Sequence, residues 1–87
     1  MEETMTRLLF LGRLRDRIGM SEQTIRLPPH VKTGNDLIAW LGQGNARLAA
    51  ALADPSLRLA VDLTLADREA SIERAGEIAF LPPMSGG

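Results

Sequence analysis

The run Leu8-Leu9-Phe10-Leu11 is apolar on both alternating faces, so Thr6 to Leu11 predicts a strand covered on each side, as at the centre of a sheet. Gly12 ends it. Leu14 and Ile18, four residues apart, predict a short helix stopped by Gly19, where a left-handed residue costs little. From Glu22 to Leu27 the positions Gln23, Ile25 and Leu27 alternate with Thr24 and Arg26, the pattern of a strand with one wet face, closed by Pro28 and Pro29.

The period then changes. Thr33 suits an N-cap, with Asp36 three residues on in the place that Glu fills in a capping box, and Leu37, Ile38 and Leu41 form one apolar helical face. Gly42 and Gly44 interrupt this helix, and Asn45 can cap a second piece carrying Leu48, Ala49 and Leu52 that stops near Pro55. Trp40 is expected to help close the core under these helices; a stacking platform for a base or pterin is the competing reading.

Leu57, Leu59, Val61, Leu63 and Leu65 then alternate with Arg58, Asp62 and Thr64, which predicts a strand bent or paired with itself near Asp62. Asp67, Arg68 and Glu69 read as a turn. Ile78 to Leu81 is a last strand, apolar on two faces, before Pro82 and Pro83.

Early strands, a helical stretch and late returning strands predict an α+β fold, with a mixed sheet and helices packed on one face. At 87 residues the chain is short for a divided core, so 1–87 reads as one domain with a flexible tail over 82–87. If Leu8, Phe10, Ile78 and Phe80 face the helices, alternation puts Leu9, Leu11, Ala79 and Leu81 on the opposite sheet face, where no second helical layer is available. Such an apolar patch marks a docking surface; cover by a loop or by sheet twist is the competing expectation.

Composition narrows the chemistry. No cysteine is present, which removes side-chain persulfides, thiol nucleophiles and thiolate metal sites, and the one histidine, His30, lacks partners for a metal site or triad. The expected metal complement is none. Ten basic against eleven acidic residues give a net charge of −1, and bulk charge offers nothing to nucleic acid. Arg13, Arg15 and Arg17 would fan around a helix as a solvated surface. No apolar run is long enough for a membrane helix, and Met1 to Thr6 lacks the look of a secretion signal, which makes the cytoplasm the expected location.

What remains is the chain's last stretch, Pro82-Pro83-Met84-Ser85-Gly86-Gly87. Two prolines break ladder pairing and stiffen the exit, and four extended residues beyond Pro83 reach about 13 to 14 Å. Glycines at 86 and 87 could pass a narrow channel. A Gly-Gly ending by itself also fits a passive terminus; its setting separates the two readings.

That setting is Glu77-Ile78-Ala79-Phe80-Leu81-Pro82-Pro83-Met84-Ser85-Gly86-Gly87, with Leu9-Phe10-Leu11-Gly12-Arg13-Leu14-Arg15-Asp16-Arg17-Ile18-Gly19 near the start. Together these resemble the small subunits of molybdopterin synthase, molybdopterin-converting factor subunit 1, in the ubiquitin-like sulfur-carrier family. The resemblance covers nearly the whole chain after Met5 and implies a β-grasp (ubiquitin-like) roll with the first and last strands parallel and adjacent.

It further implies that the terminal carboxylate of Gly87 is adenylated with ATP by an E1-like adenylyltransferase and converted to a thiocarboxylate. Inside the large subunit of the synthase, in a heterotetramer, the sulfur would pass to cyclic pyranopterin monophosphate during molybdenum cofactor biosynthesis. On this reading Gly86 gives clearance, Pro82, Pro83, Met84 and Ser85 direct the tail into its partner, and Leu65 joins Leu11 and Leu81 in the docking patch. The chain would bind no permanent cofactor and supply no catalytic side chain, only the sulfur-bearing tail of an enzyme subunit. Two departures stand out: Ala75-Gly76-Glu77 where the family often has Gly-Asp-Glu, and Asp62 where it often has Asn.

Two relatives in function remain open on these residues. A thiamine-type sulfur carrier shares the tail but has a reduced helical segment, and a ubiquitin-like protein modifier would pass its activated tail to a lysine amine. A plain interaction module with a passive tail is the alternative outside this chemistry.

Overall fold

A computed structural model describes residues 4–82. The elements run β1 (Thr4–Phe10), α1 (Arg13–Ile18), β2 (Glu22–Leu27), α2 (Gly34–Gly42), α3 (Ala46–Ala51), β3 (Arg58–Val61), β4 (Thr64–Ala66) and β5 (Glu77–Leu81). The five strands form one sheet in the order β2-β1-β5-β3-β4. β1 and β5 run parallel, with Leu8 opposite Ile78 and Phe10 opposite Phe80, while the other pairings are antiparallel.

Local chemistry sets the helix ends. The Gly19 amide donates to the Arg15 carbonyl from a left-handed residue at φ 90°, closing α1. Thr33 and Asp36 make a full capping box on α2: the Thr33 hydroxyl accepts from the Asp36 amide, and the Asp36 carboxylate accepts from the Thr33 amide. The Asn45 side chain accepts from the Leu48 amide to start α3. Arg13, Arg15 and Arg17 are exposed on α1, Trp40 is half-buried against the core, and His30 is exposed in the loop after β2.

The core lies between the helices and one face of the sheet. Leu8, Phe10, Leu37, Leu52, Leu59, Ile72, Ile78 and Phe80 are all buried, and the rings of Phe10 and Phe80 stack with centroids 5.5 Å apart and 8° between planes. Because β5 pairs with β1 on one side and β3 on the other, its residues alternate between this core and the opposite face. The arrangement is the β-grasp roll expected from the sequence.

The structure shifts some boundaries. β1 begins at Thr4, two residues before the expected start at Thr6, because its pairing with β2 extends to Thr4 and Leu27, and it ends at Phe10. Leu11 therefore follows the strand, although its amide still donates to the Phe80 carbonyl at 3.2 Å. The long alternating run after Leu57 is a hairpin: Val61 pairs with Thr64, and Asp62 and Leu63 make the turn, as the expected self-pairing near Asp62 required.

Candidate functional site

The sequence reading expects the chemistry on the tail, so the strand that leads into it sets the geometry. β5 is fixed at its start by three side chains. The Thr6 hydroxyl, fully buried, donates to the Ala75 carbonyl at 2.8 Å. Asp62 Oδ1 accepts from the amides of Gly76 and Glu77, each at 3.0 Å. Arg7 pairs with Glu77 across β1 and β5 at 3.0 Å.

Two of these contacts answer the departures seen in the sequence. Asp62 sits at φ 48°, a left-handed angle that a short polar side chain tolerates, and its carboxylate oxygen occupies both donors at the head of β5. Asparagine at this place would present the same kind of oxygen. Ala75 is buried and lends its carbonyl to Thr6, while Gly76 supplies one of the two amides.

At its far end β5 stops at Leu81, and Pro82 follows without an amide hydrogen to continue the ladder. Pro82 packs on Gly12: a Cβ on that glycine would stand 3.1 Å from the proline Cγ, and the glycine has φ 57° and ψ −132°. The loop after β1 and the root of the tail thus touch. A cleft of about 110 Å³ opens beside them, lined by Arg13, Leu14, Arg17, Ala51, Leu57 and Pro82. Pro83, Met84, Ser85, Gly86 and Gly87 lie outside the described residues.

The sheet face away from the helices carries the expected apolar positions. One row across it reads Leu9, Ala79, Ala60 and Leu65 over β1, β5, β3 and β4. Two alanines make a shallow floor between leucines, with Leu81 and Leu11 at the end toward the tail and Arg58 opposite Leu81. Leu11 is 40% and Leu65 59% exposed, Leu81 and Pro82 are half-buried, and Ala79 keeps 6%. Neither loop nor helix among the described residues covers Leu11 and Leu65. Leu65 does not touch the tail end directly: β3 lies between β4 and β5, so about 10 Å of sheet separates its strand from that of Leu81.

The larger surface cleft is elsewhere. It holds about 580 Å³ and is lined by Asn35, Ser56, Arg58, Asp67, Arg68 and Glu69. Asp54 nearby has its carboxyl held below the ordinary value, first by the Ser56 hydroxyl and amide that donate to it and then by Arg68 and Arg17. These residues make a polar surface. Among the described residues no group of three His, Cys, Asp or Glu side chains could hold a metal ion, and no helix is long and apolar enough to cross a membrane.

Sequence reasoning took Gly12 only as the end of a strand and Asp62 only as the site of a turn, and missed their contacts with Pro82 and with Gly76 and Glu77. Asp in the first slot of a tight turn is a recognisable hairpin signal, but its bonds to Gly76 and Glu77 cross 14 and 15 residues.

Comparison with known proteins adds to this geometry. A family model described as the ThiS family matches residues 8–87. The molybdopterin synthase sulfur carrier subunit of Haemophilus influenzae is 32% identical over 83 residues, covering 95% of this chain and 100% of that protein. The solution structure of small archaeal modifier protein 1 from Methanosarcina acetivorans superposes with a TM-score of 0.70 at 17% identity, over 100% of both chains. The crystal structure of the same modifier from Haloferax volcanii gives 0.71 at 16%, over 95% of this chain and 99% of the other. At such identities the two structures bear on the fold alone.

Proposed function

This chain belongs to the ThiS family, and from that membership we propose that it is a sulfur carrier of molybdenum cofactor biosynthesis, acting through the α-carboxylate of Gly87. The observation that carries the reading is the 32% identity to a molybdopterin synthase sulfur carrier subunit over the whole of that relative. The fixed β5 strand and its Pro82 exit suit a scaffold whose task is to present a tail.

A carboxylate is a poor acyl donor because oxide leaves badly. Attack of the Gly87 carboxylate on the α-phosphate of ATP, in an E1-like adenylyltransferase, releases pyrophosphate and leaves an acyl-adenylate. A sulfide-level nucleophile then adds to the carbonyl carbon and expels AMP, giving the thiocarboxylate. The tail next enters the large subunit of molybdopterin synthase, where the sulfur passes to cyclic pyranopterin monophosphate and the carboxylate is restored with an oxygen from water. Gly86 leaves room for the channel, and residues 82–85 steer the tail into it.

The carrier contributes no acid, base or metal to these steps. Its own parts are the strand that fixes the tail root and the open face of Leu11, Leu65 and Leu81, which docks on the partner. Deletion of Gly87 tests the reading: dithiolene formation in a synthase reconstituted with the large subunit is lost while thermal unfolding is unchanged. Retained synthesis would refute it.

A further inference from the structure

Asp62 and Leu63 are the two residues of the β3–β4 turn, and both have left-handed backbone angles, φ 48° and 71°. Two-residue hairpins of this kind favour Asn or Asp followed by Gly, because the second residue pays a steric penalty for any Cβ. Asp62 meets the preference and Leu63 breaks it. Leu63 is also 87% exposed, more than Leu11, Leu65 or Met5. One position therefore carries two costs, a strained backbone and a wet leucine, and glycine there would remove both.

Strain kept at an exposed site points to a use for the side chain. We propose that Leu63 is a specificity contact for the protein that takes up the tail, filling an apolar pocket on the large synthase subunit; this rests on the function proposed above. Three features select that occupant. The hairpin continues the open face, since Leu65 stands in the row of Leu9, Ala79 and Ala60 that leads toward Leu81. The Asp62 amide donates to the Glu77 carbonyl at 2.9 Å, so the turn is tied to β5 and Leu63 is pre-organised. Leu81 stands four residue steps beyond Glu77 along β5, roughly 13 Å at the strand rise, well inside the span of one ordinary interface.

The full chain, L63G and L63N are compared by thermal unfolding and by titration calorimetry against the purified large subunit. Both variants should unfold at a higher temperature, because the turn is relaxed, and should bind the subunit more weakly by about tenfold or more, as expected for one lost buried leucine. Stability and affinity thus move in opposite directions, which a purely structural residue would not produce. Affinity within about twofold of the unaltered chain overturns the proposal, and so does a lowered unfolding temperature, which would deny the strain. A dimer of the unaltered chain that L63G abolishes, with affinity for the large subunit unchanged, assigns the leucine to a second copy and overturns it as well. Failure of the unaltered chain to bind the large subunit overturns the functional reading along with this one.

Discussion

Gly12 and Pro82, seventy residues apart in the chain, pack so closely that a Cβ on the glycine would lie 3.1 Å from the proline ring. The contact joins the loop after the first strand to the root of the tail. Gly12→Ala adds that Cβ at a backbone angle that disfavours it, and should destabilise the fold by about 1 to 3 kcal/mol, read from urea unfolding. Because the added carbon presses on Pro82, sulfur transfer per folded molecule should fall too; a variant as stable and active as the parent would remove Gly12 from this role.

Asp62 holds the other end of β5. Asp62→Ala loses two hydrogen bonds and a residue suited to the left-handed angle, for an expected loss of about 1 to 2 kcal/mol. Asp62→Asn keeps an acceptor oxygen and should lose less than half as much. Equal losses in the two variants, measured by chemical denaturation, would show that the charge and not the hydrogen-bond geometry matters.

The α2 capping box gives the chain an acid-sensitive element. The Lys32 amide, with help from the Thr33 amide and hydroxyl, holds the Asp36 carboxyl below its ordinary value. A carboxyl that ionises more readily when folded contributes stability that is complete above its unfolded pKa, about 4, and is lost as pH falls through the lower folded value. The stability gap between the parent and Asp36→Asn should therefore be constant above about pH 5 and narrow below about pH 4. A gap that widens on acidification would reverse the assignment.

The open face should be separable from the fold. Leu65→Asp removes an exposed leucine from β4, so stability should change by no more than about 0.5 kcal/mol while affinity for the large subunit drops. Leu11 is 40% and Leu65 59% exposed and Leu81 is half-buried, so burying what remains of the three is worth only about 2 to 4 kcal/mol, against an association cost of about 4 to 15, and the face needs the tail to bind well. Unchanged affinity in Leu65→Asp, by calorimetry, would move the interface elsewhere.

What could be read from the sequence follows from range. Leu14, Ile18 and Gly19, the Thr33–Asp36 box, Asn45 and the β2 alternation are local patterns within about one or two helical turns, and each forms as expected. The double-sided runs at Leu8 to Leu11 and Ile78 to Leu81 marked two central strands, whereas their parallel pairing came from the family resemblance, and the expected cover on the second face is not found among the described residues, where Leu11 is 40% exposed. By contrast, Thr6 looks like an ordinary polar strand residue, and its burial depends on the Ala75 carbonyl 69 residues away. Gly12 against Pro82 and Asp62 against Gly76 were hidden for the same reason. Of the candidate site, Leu11, Leu65, Leu81 and Pro82 fall within the described residues; alternation pointed to Leu11 and Leu81 on the face away from the helices, and the resemblance added Leu65. The Gly86-Gly87 ending was visible only as a motif and lies outside the described residues.

The central claim is that the carbonyl of Gly87 is the reactive atom. The most direct measurement is intact mass after incubation with ATP, the activating enzyme and a sulfur donor, run on the parent and on a chain with one alanine added after Gly87. The parent should gain one sulfur in exchange for one oxygen, and the extended chain should not; an unchanged parent, or an equal gain in both, would contradict it.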